Sequence, residues 1–211
     1  TLSLHDALPI LHLYCNRMKM RNIPTYDFHK TKYGSELLID VVALKDIKKY
    51  LSDHSLHALT YYDITLITDG EGFFRIDETN HQVKVSDVLF SQPYQLREWD
   101  TQYIADGYAL IFEEEFLLSF FNDPNFINNI SFFKKYCNNS RLELSTSVFE
   151  QINFLMQQIK DEIDKYAVKN KHILRALLYQ VLMTLDRAFI EQYAIAPQSD
   201  SHNYVDRFLT F

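Results

Sequence analysis

Two kinds of metal-binding side chain lie close together in the sequence, at His54, His57 and Asp63. Imidazole nitrogens and carboxylate oxygens hold a divalent metal only where their lone pairs converge, so a ligand set has to be complete. These three residues do not complete one. Two interpretations therefore stay open: a partial metal site, or two surface histidines in the loop before a strand that carries Asp63. We expect the second.

Patterns for nucleophilic catalysis and phosphate binding are also incomplete. The sequence contains no Gly-x-Ser-x-Gly. Residues 69–72, Asp-Gly-Glu-Gly, have the glycines of a phosphate loop but no lysine, and their carboxylates would repel phosphate. Asp-Gly supplies the positive φ angles of a tight hairpin, so we expect a hairpin turn here. We therefore predict that the chain is not an enzyme and has no catalytic residues, no cofactor and no metal.

The first half of the chain, from about residue 23 to residue 112, is typical of short strands. Residues 61–68, YYDITLIT, alternate β-branched and aromatic residues with polar ones, and the expected hairpin turn follows them. Several short strands at close spacing, with no long helix between them, predict a sandwich or barrel. The other strands are expected at residues 73–76, 81–85, 88–91 and 103–112.

The second half of the chain has the period of helices. Residues 113–121 place glutamates in the first turn of a short helix. Ser147 and Glu150 match a capping box, and apolar residues at helical spacing follow as far as Tyr166. A second helix is expected from about Asn170. The connection at 167–169 is so short that we expect an antiparallel pair.

Both ends of the sequence have unusual features. Residues 1–10, TLSLHDALPI, look like translated sequencing-adapter read-through, so we expect residues 1–17 to be a non-native leader. The native start is then Met18 or Met20. Residues 196–203 are polar and are typical of a linker. Residues 204–211, YVDRFLTF, begin an amphipathic helix that stops at once, which indicates truncation.

Composition limits the class of protein. The chain has 211 residues, of which 47% are apolar and 23% charged, as in a globular protein of one or two domains. Two cysteines without CxxC spacing indicate a reduced, cytoplasmic compartment. The strongest apolar run, 37–44, is too short for a membrane span. The net charge of -7 argues against wrapping nucleic acid.

Three segments resemble the cupin-type sensor domain of the AraC family of bacterial transcription regulators. They are 61–73 (YYDITLITDGEGF), 87–99 (DVLFSQPYQLREW) and 107–116 (GYALIFEEEF), and 204–211 is similar to the opening of the family's DNA-binding domain. The resemblance runs from about residue 23 to the end. It implies a mainly β protein with α: a cupin-like β-barrel (jelly roll), followed by an antiparallel helical pair.

The resemblance also implies a division of the chain and a partner. The sensor barrel with its short following helix would span 18–125, the helical dimerisation region 126–195 and the linker 196–203. Two helix-turn-helix motifs would follow from 204 onward, so the chain would contact DNA only through that missing domain. We expect a homodimer, since two DNA half-sites require a two-fold protein. The helix residues expected at its interface are Leu174, Leu178, Val181 and Leu185.

In metal-binding cupins the ligands are a His-x-His, a glutamate and a later histidine. By the resemblance, Asp63 stands at the carboxylate position and Arg97 at the later histidine position. A guanidinium has no lone pair, so it cannot complete a metal site. The two side chains could instead bind a polar effector at the barrel mouth, or form a structural ion pair. The aromatic residues that would wall such a pocket, or else belong to the core, are Tyr62, Tyr94 and Trp99.

The favoured hypothesis is the effector-sensing and dimerisation region of an AraC-type transcription regulator. A free-standing metal-dependent cupin enzyme is the alternative from another class. A third hypothesis is a ligand-binding cupin without a DNA partner. The sequence identifies neither the effector nor the operator.

Overall fold

The computed structural model of the chain describes residues 23–51, 55–120, 123–135, 137–166 and 168–195. The expected leader, both candidate start methionines, His54, the linker and the helix start at 204–211 lie outside the described residues.

Ten strands are present in the described part of the chain. They are β1 Thr25–Tyr26, β2 Ile39–Ala43, β3 His57–Leu59, β4 Tyr62–Asp69, β5 Gly72–Ile76, β6 Thr79–Val83, β7 Asp87–Ser91, β8 Leu96–Trp99, β9 Asp106–Phe112 and β10 Arg141–Glu143. They form an outer sheet of order β1-β3-β8-β5-β6 and a central sheet of order β10-β7-β4-β9-β2. Only the β1–β3 pair among them is parallel. The prediction of a mainly β protein with α is confirmed, whereas a closed jelly-roll barrel stays a prediction.

Helices account for about half of the remaining described residues. They are α1 Leu44–Leu51, α2 Glu114–Leu118, α3 Phe126–Asn129, α4 Thr146–Lys165 and α5 Lys171–Gln192, with a 3-10 turn at Ser131–Phe133. The sequence pattern did not predict α1, whose Leu44 and Ile47 pack between the sheets. The predicted capping box is wrong: α4 begins before Ser147, and its N-cap Ser145 makes no side-chain cap bond.

The hairpin expected at residues 69–72 is also wrong. β4 and β5 belong to different sheets, so this turn carries the chain from the central sheet to the outer one. Gly70 has a φ of +85°, and a Cβ there would lie 2.2 Å from the carbonyl oxygen of Tyr103. The turn therefore uses glycine both for its backbone angle and for a close approach. The two-residue hairpin lies one turn later, between β5 and β6.

The three layers of the fold follow from the alternation of β4, which is buried on both faces. Tyr62, Ile64 and Leu66 point toward the helices and join the larger core cluster. Ile67 joins the smaller cluster, which lies between the two sheets. The central sheet is thus covered by the outer sheet on one face and by helices on the other. Successive side chains of β4 therefore contact these two layers alternately.

The long helices α4 and α5 contact each other and the central sheet. Two bonds from α5 side chains to backbone fix its position: Arg175 Nε donates to the Phe116 carbonyl at 2.8 Å, and Asp186 Oδ1 accepts from Ser131 N at 2.7 Å. Strand β10 lies within the region predicted to be helical, yet it completes the central sheet. In the part of the chain that the structure describes, no helix is both long and apolar enough to cross a bilayer.

Candidate functional site

The ion pair of Asp63 and Arg97 lies between the two sheets. Asp63 is on β4 of the central sheet and Arg97 on β8 of the outer sheet, and the Arg97 Nη1 atom is 2.9 Å from Asp63 Oδ2. Both side chains are only 4% exposed. The structure therefore brings together the two residues that the sequence selected, and it pairs them directly across the inter-sheet space.

Two hydroxyl groups complete what we call the inter-sheet polar cluster: Asp63, Thr65, Ser91 and Arg97. Thr65 donates to Asp63 Oδ1 at 2.6 Å. Arg97 donates through Nη2 to Thr65 Oγ1 at 3.2 Å and through Nη1 to Ser91 Oγ at 3.3 Å. The guanidinium also lies over the Phe74 ring, 5.2 Å from its centroid. The pair is thus hydrogen-bonded as well as charge-compensated, which a desolvated ion pair requires.

One polar atom of the cluster has no partner. Arg97 Nε is buried and makes no hydrogen bond within the described part of the chain. Arg97 thus uses its two terminal nitrogens and leaves the N–H of its third nitrogen, Nε, unsatisfied, which is costly in a buried position. A ligand with an oxygen acceptor at this atom would remove that cost.

His57 lies beside the cluster. It is the cross-strand partner of Arg97, and it is buried in β3 rather than exposed in a loop, so the expectation of a surface histidine is wrong for His57. The Nδ1 atom is 3.0 Å from the Ser55 carbonyl oxygen. Burial, and after it the charge of Arg97, lowers the pKa of His57 to about 4. The ring is therefore neutral at physiological pH.

The electrostatics of the cluster extend to Tyr61, which precedes β4. Burial raises the pKa of the Tyr61 hydroxyl to about 12, and the charge of Asp63 acts in the same direction. The Tyr61 ring packs edge-on against Phe28, with centroids 5.3 Å apart. The cluster is thus bordered by neutral polar groups and aromatic rings, and Arg97 and Asp63 carry its two opposite charges.

Metal binding has little support in this geometry. No group of three or more His, Cys, Asp or Glu side chains converges within the described ranges. The guanidinium of Arg97 occupies the space next to the Asp63 carboxylate that a cation would need. A cation there would meet a fixed positive charge at hydrogen-bonding distance from its only carboxylate ligand.

The three aromatic candidates lie in three different places. Tyr62 points to the helical side of the central sheet and stacks on Phe112, with ring centroids 5.4 Å apart. Trp99 is buried between the sheets, with its ring parallel to that of Phe74. Tyr94 is 70% exposed in the β7–β8 turn, where its φ is +68°. The structure therefore places only Trp99 in the same layer as the Asp63–Arg97 pair.

A groove of about 430 Å³ opens at a distance from this pair. It lies where β5 begins, β6 ends and the β8–β9 connection passes. None of the candidate site residues lines it, and its floor carries no buried charge. The residues that line it are Glu71, Gly72, Gln82, Val83, Lys84, Asp100 and Tyr103.

The four helix residues expected at a dimer interface are buried inside the chain. Each is 0% exposed and belongs to the core between α5 and the central sheet. They therefore offer no surface to a second copy. These residues are Leu174, Leu178, Val181 and Leu185.

The site contains residues that the sequence did not single out. They are Thr65 and Ser91, which accept hydrogen bonds from Arg97. For Thr65 a signal existed, since it follows Asp63 by two residues and must share its face of β4. For Ser91 there was none, because its place opposite Asp63 depends on how β4 and β7 pair.

Comparisons with known proteins place few constraints on the chain. No protein-family model matches the sequence, and no curated protein matches it. Among solved structures, the chain is similar to that of the AraC-like transcriptional activator CuxR, with 13% sequence identity and a TM-score of 0.42. The match covers 72% of this chain and 52% of that chain, so this chain spans about half the length of that protein. Similarity this low assigns no family.

Proposed function

We propose that this chain is the effector-sensing and dimerisation region of an AraC-type transcription regulator, whose DNA-binding domain would follow residue 204. In this proposal the chain catalyses no reaction. The proposal starts from the resemblance of residues 61–73, 87–99 and 107–116. Its main structural support is a sandwich that carries two long helices, of which the second retains a partly exposed apolar face, which we call the seam.

That seam runs along α5. Ile173, Ala176, Met183 and Ile190 lie at spacings of 3, 7 and 7, so they share one face of α5, and the heptad positions between them hold Gln180 and Arg187. Ile173 is 45% exposed and Ala176 is exposed, while Met183 and Ile190 are half-buried. The same seam on a second copy is self-complementary about a two-fold axis, so the occupant is a second copy of this chain. This seam replaces the four buried leucine and valine positions as the proposed interface.

The proposed sensing site is the inter-sheet polar cluster, with Arg97 as its anchor. The unsatisfied Nε atom is the donor that an effector oxygen would use. Trp99 lies in the same layer, and exposed Tyr94 stands at one end of it. Because the cluster is closed to solvent, an effector has to enter by separating the sheets or by opening one end of the sandwich. Such opening is the structural change that sensing requires.

Dimerisation is tested by the mass of the chain in solution. We expect analytical ultracentrifugation of the wild-type chain to give twice the mass of one chain. The double variant Ile173→Glu, Ala176→Glu should give the mass of a single chain. The control is Val85→Glu, an equally exposed apolar position away from the helices. A wild-type chain that stays monomeric, or a seam variant that stays dimeric, contradicts the proposed interface.

The class of protein is tested by the nucleotide sequence after the Phe211 codon. We expect a continuing open frame with two helix-turn-helix motifs. A stop codon at that position contradicts the regulator. In that case a ligand-binding cupin without a DNA partner becomes the preferred hypothesis. Stoichiometric iron, manganese or zinc that is lost on His57→Ala would instead favour a metal-dependent cupin enzyme.

A further inference from the structure

Strand β10 is the place where the outer sheet, the central sheet and the end of α5 meet. It has three residues, Arg141–Glu143, and forms one edge of the central sheet. Ser140 precedes it and Gln192 and Tyr193 end the helix beside it. We call these residues, together with His81 of β6, the β10 clasp.

Side chains at the end of α5 bind the backbone groups on the free edge of β10. The Tyr193 hydroxyl donates to the Arg141 carbonyl oxygen at 2.6 Å, and Gln192 Oε1 accepts from Glu143 N at 3.2 Å. These two backbone groups point away from β7. The backbone bonds to β7 are made by Ser140 and Leu144, which flank β10, and in an antiparallel pair alternate residues face the partner strand. Side chains of α5 thus occupy the positions where an added strand would pair.

The other side of the clasp belongs to the outer sheet. His81 lies on β6, the edge strand of that sheet, and its Nε2 atom is 2.7 Å from Ser140 Oγ. This bond links the edge of the outer sheet to the residue that enters β10. The edges of both sheets and the end of α5 are therefore connected through one short strand.

The interior of the clasp favours two discrete states. The Asp87 side chain is 0% exposed, and its oxygens accept from Arg141 Nη2 and from Lys84 N, each at 2.8 Å. A partial shift of β10 would leave this buried carboxylate short of its cation, which is strongly unfavourable. The strand is therefore expected to stay docked or to leave as a unit.

We propose that the β10 clasp couples β6, at the edge of the outer sheet, to the last turn of α5. A change in the spacing of the two sheets acts on Ser140 through His81. It then alters the docking of Gln192 and Tyr193, and with them the position of the last turn of α5. The coupling itself is a property of these residues, but its regulatory use rests on the proposed function.

The test is hydrogen exchange of the 211-residue chain, measured at amides 141–144 and 189–193. Tyr193→Phe removes one bond of the clasp and should speed exchange at both segments roughly 2- to 10-fold. His81→Phe removes a bond on the outer sheet and should speed exchange at 189–193 by a similar factor. If the clasp opens as one unit, each variant speeds exchange at both segments by the same factor, because one opening exposes both. The matched controls are exposed residues outside the clasp, Tyr166→Phe and His29→Phe.

The coupling is overturned if His81→Phe leaves exchange at 189–193 at the wild-type rate, or if Tyr193→Phe speeds exchange at 189–193 without speeding it at 141–144. Should His81→Phe also speed exchange across β4, which would indicate general destabilisation, Ser140→Ala breaks the same bond from the other side and decides the matter. These results do not depend on dimer mass or on the reading frame after Phe211. A chain can therefore fail as a regulator and keep the clasp, or the reverse.

Discussion

Among the ion pairs of the described residues, that of Asp63 with Arg97 is the most buried, since both side chains are only 4% exposed. Both groups are removed from water, and the Arg97 Nη1 atom lies 2.9 Å from Asp63 Oδ2. The hydroxyls of Thr65 and Ser91 add hydrogen bonds that water would otherwise supply. An arrangement of this kind holds two sheets in one relative position, since separating them would expose two unpaired charges to an apolar layer.

The first prediction follows from that pairing. Arg97→Met should lower the free energy of unfolding by about 3 to 5 kcal/mol, because it leaves Asp63 buried without its counter-charge. Urea denaturation measures the change. Adding Asp63→Leu to Arg97→Met should restore most of the loss. The control is Arg75→Met, whose pair with Glu98 is half-exposed and should contribute less than about 1 kcal/mol. A small loss for Arg97→Met would show that the pair contributes little.

The second prediction concerns His57 and pH. Its folded-state pKa of about 4 lies below the unfolded value, so the unfolded chain takes up the proton first as the pH falls. The stabilising effect of the neutral ring is complete above about pH 6.5. It decreases by up to about 3 kcal/mol as the pH falls toward 4. In His57→Gln this part of the acid sensitivity should disappear. The control is His29→Gln at an exposed position, whose free energy of unfolding should depend on pH as that of the wild type does. Identical pH profiles for wild type and His57→Gln would contradict the assignment.

At the scale of elements, the start of α5 is fixed by the turn before it. The Asn170 side chain accepts hydrogen bonds from His172 N at 3.0 Å and from Ile173 N at 3.3 Å. Its own backbone N–H donates to Glu162 Oε1 at 2.9 Å, which joins the N-terminus of α5 to α4. The cap therefore sets where α5 begins and helps to hold the two helices together.

The third prediction compares the N-caps of the two long helices. Asn170→Ala should lower the free energy of unfolding by about 1 kcal/mol, because two helix N–H groups lose their acceptor. Ser145→Ala is the matched control, since Ser145 occupies the N-cap of α4 without a side-chain cap bond. Its effect should be a few tenths of a kcal/mol. Equal losses for the two variants, measured by thermal or urea unfolding, would mean that the Asn170 cap is not the source.

At the scale of the whole molecule, the net negative charge opposes binding of this chain to nucleic acid. It has 21 basic and 28 acidic residues, for a net charge of -7. A DNA backbone attracts proteins through clustered lysine and arginine, and net repulsion opposes that contact. In the proposed regulator, DNA recognition belongs to the part that would follow residue 204.

The fourth prediction follows from this charge. The 211-residue chain should show no appreciable binding to duplex DNA in a fluorescence anisotropy titration at low salt. A chain extended through a helix-turn-helix domain should bind, with an affinity that falls as salt rises. Salt-sensitive micromolar binding by the 211-residue chain would contradict the division of roles proposed here.

Much of the fold was accessible from the sequence because its signals are local. The alternation in residues 61–68 predicted β4, and the helical spacing predicted α4 and α5, since side-chain period depends only on backbone geometry. Helix α1 was missed because its short apolar face resembles part of a strand. Strand β10 was missed because three residues carry no periodicity.

The sequence by itself determined the type of most elements, the negative charge and the candidate pair Asp63 and Arg97. Only the tertiary structure decided which surfaces are covered. It placed Leu174 and Leu178 in the chain's own core, paired Arg97 with Asp63 across two sheets, and assigned β4 and β5 to different layers. The physical reason is that secondary structure arises from neighbours along the chain. Burial and pairing depend on which distant segment supplies the second surface.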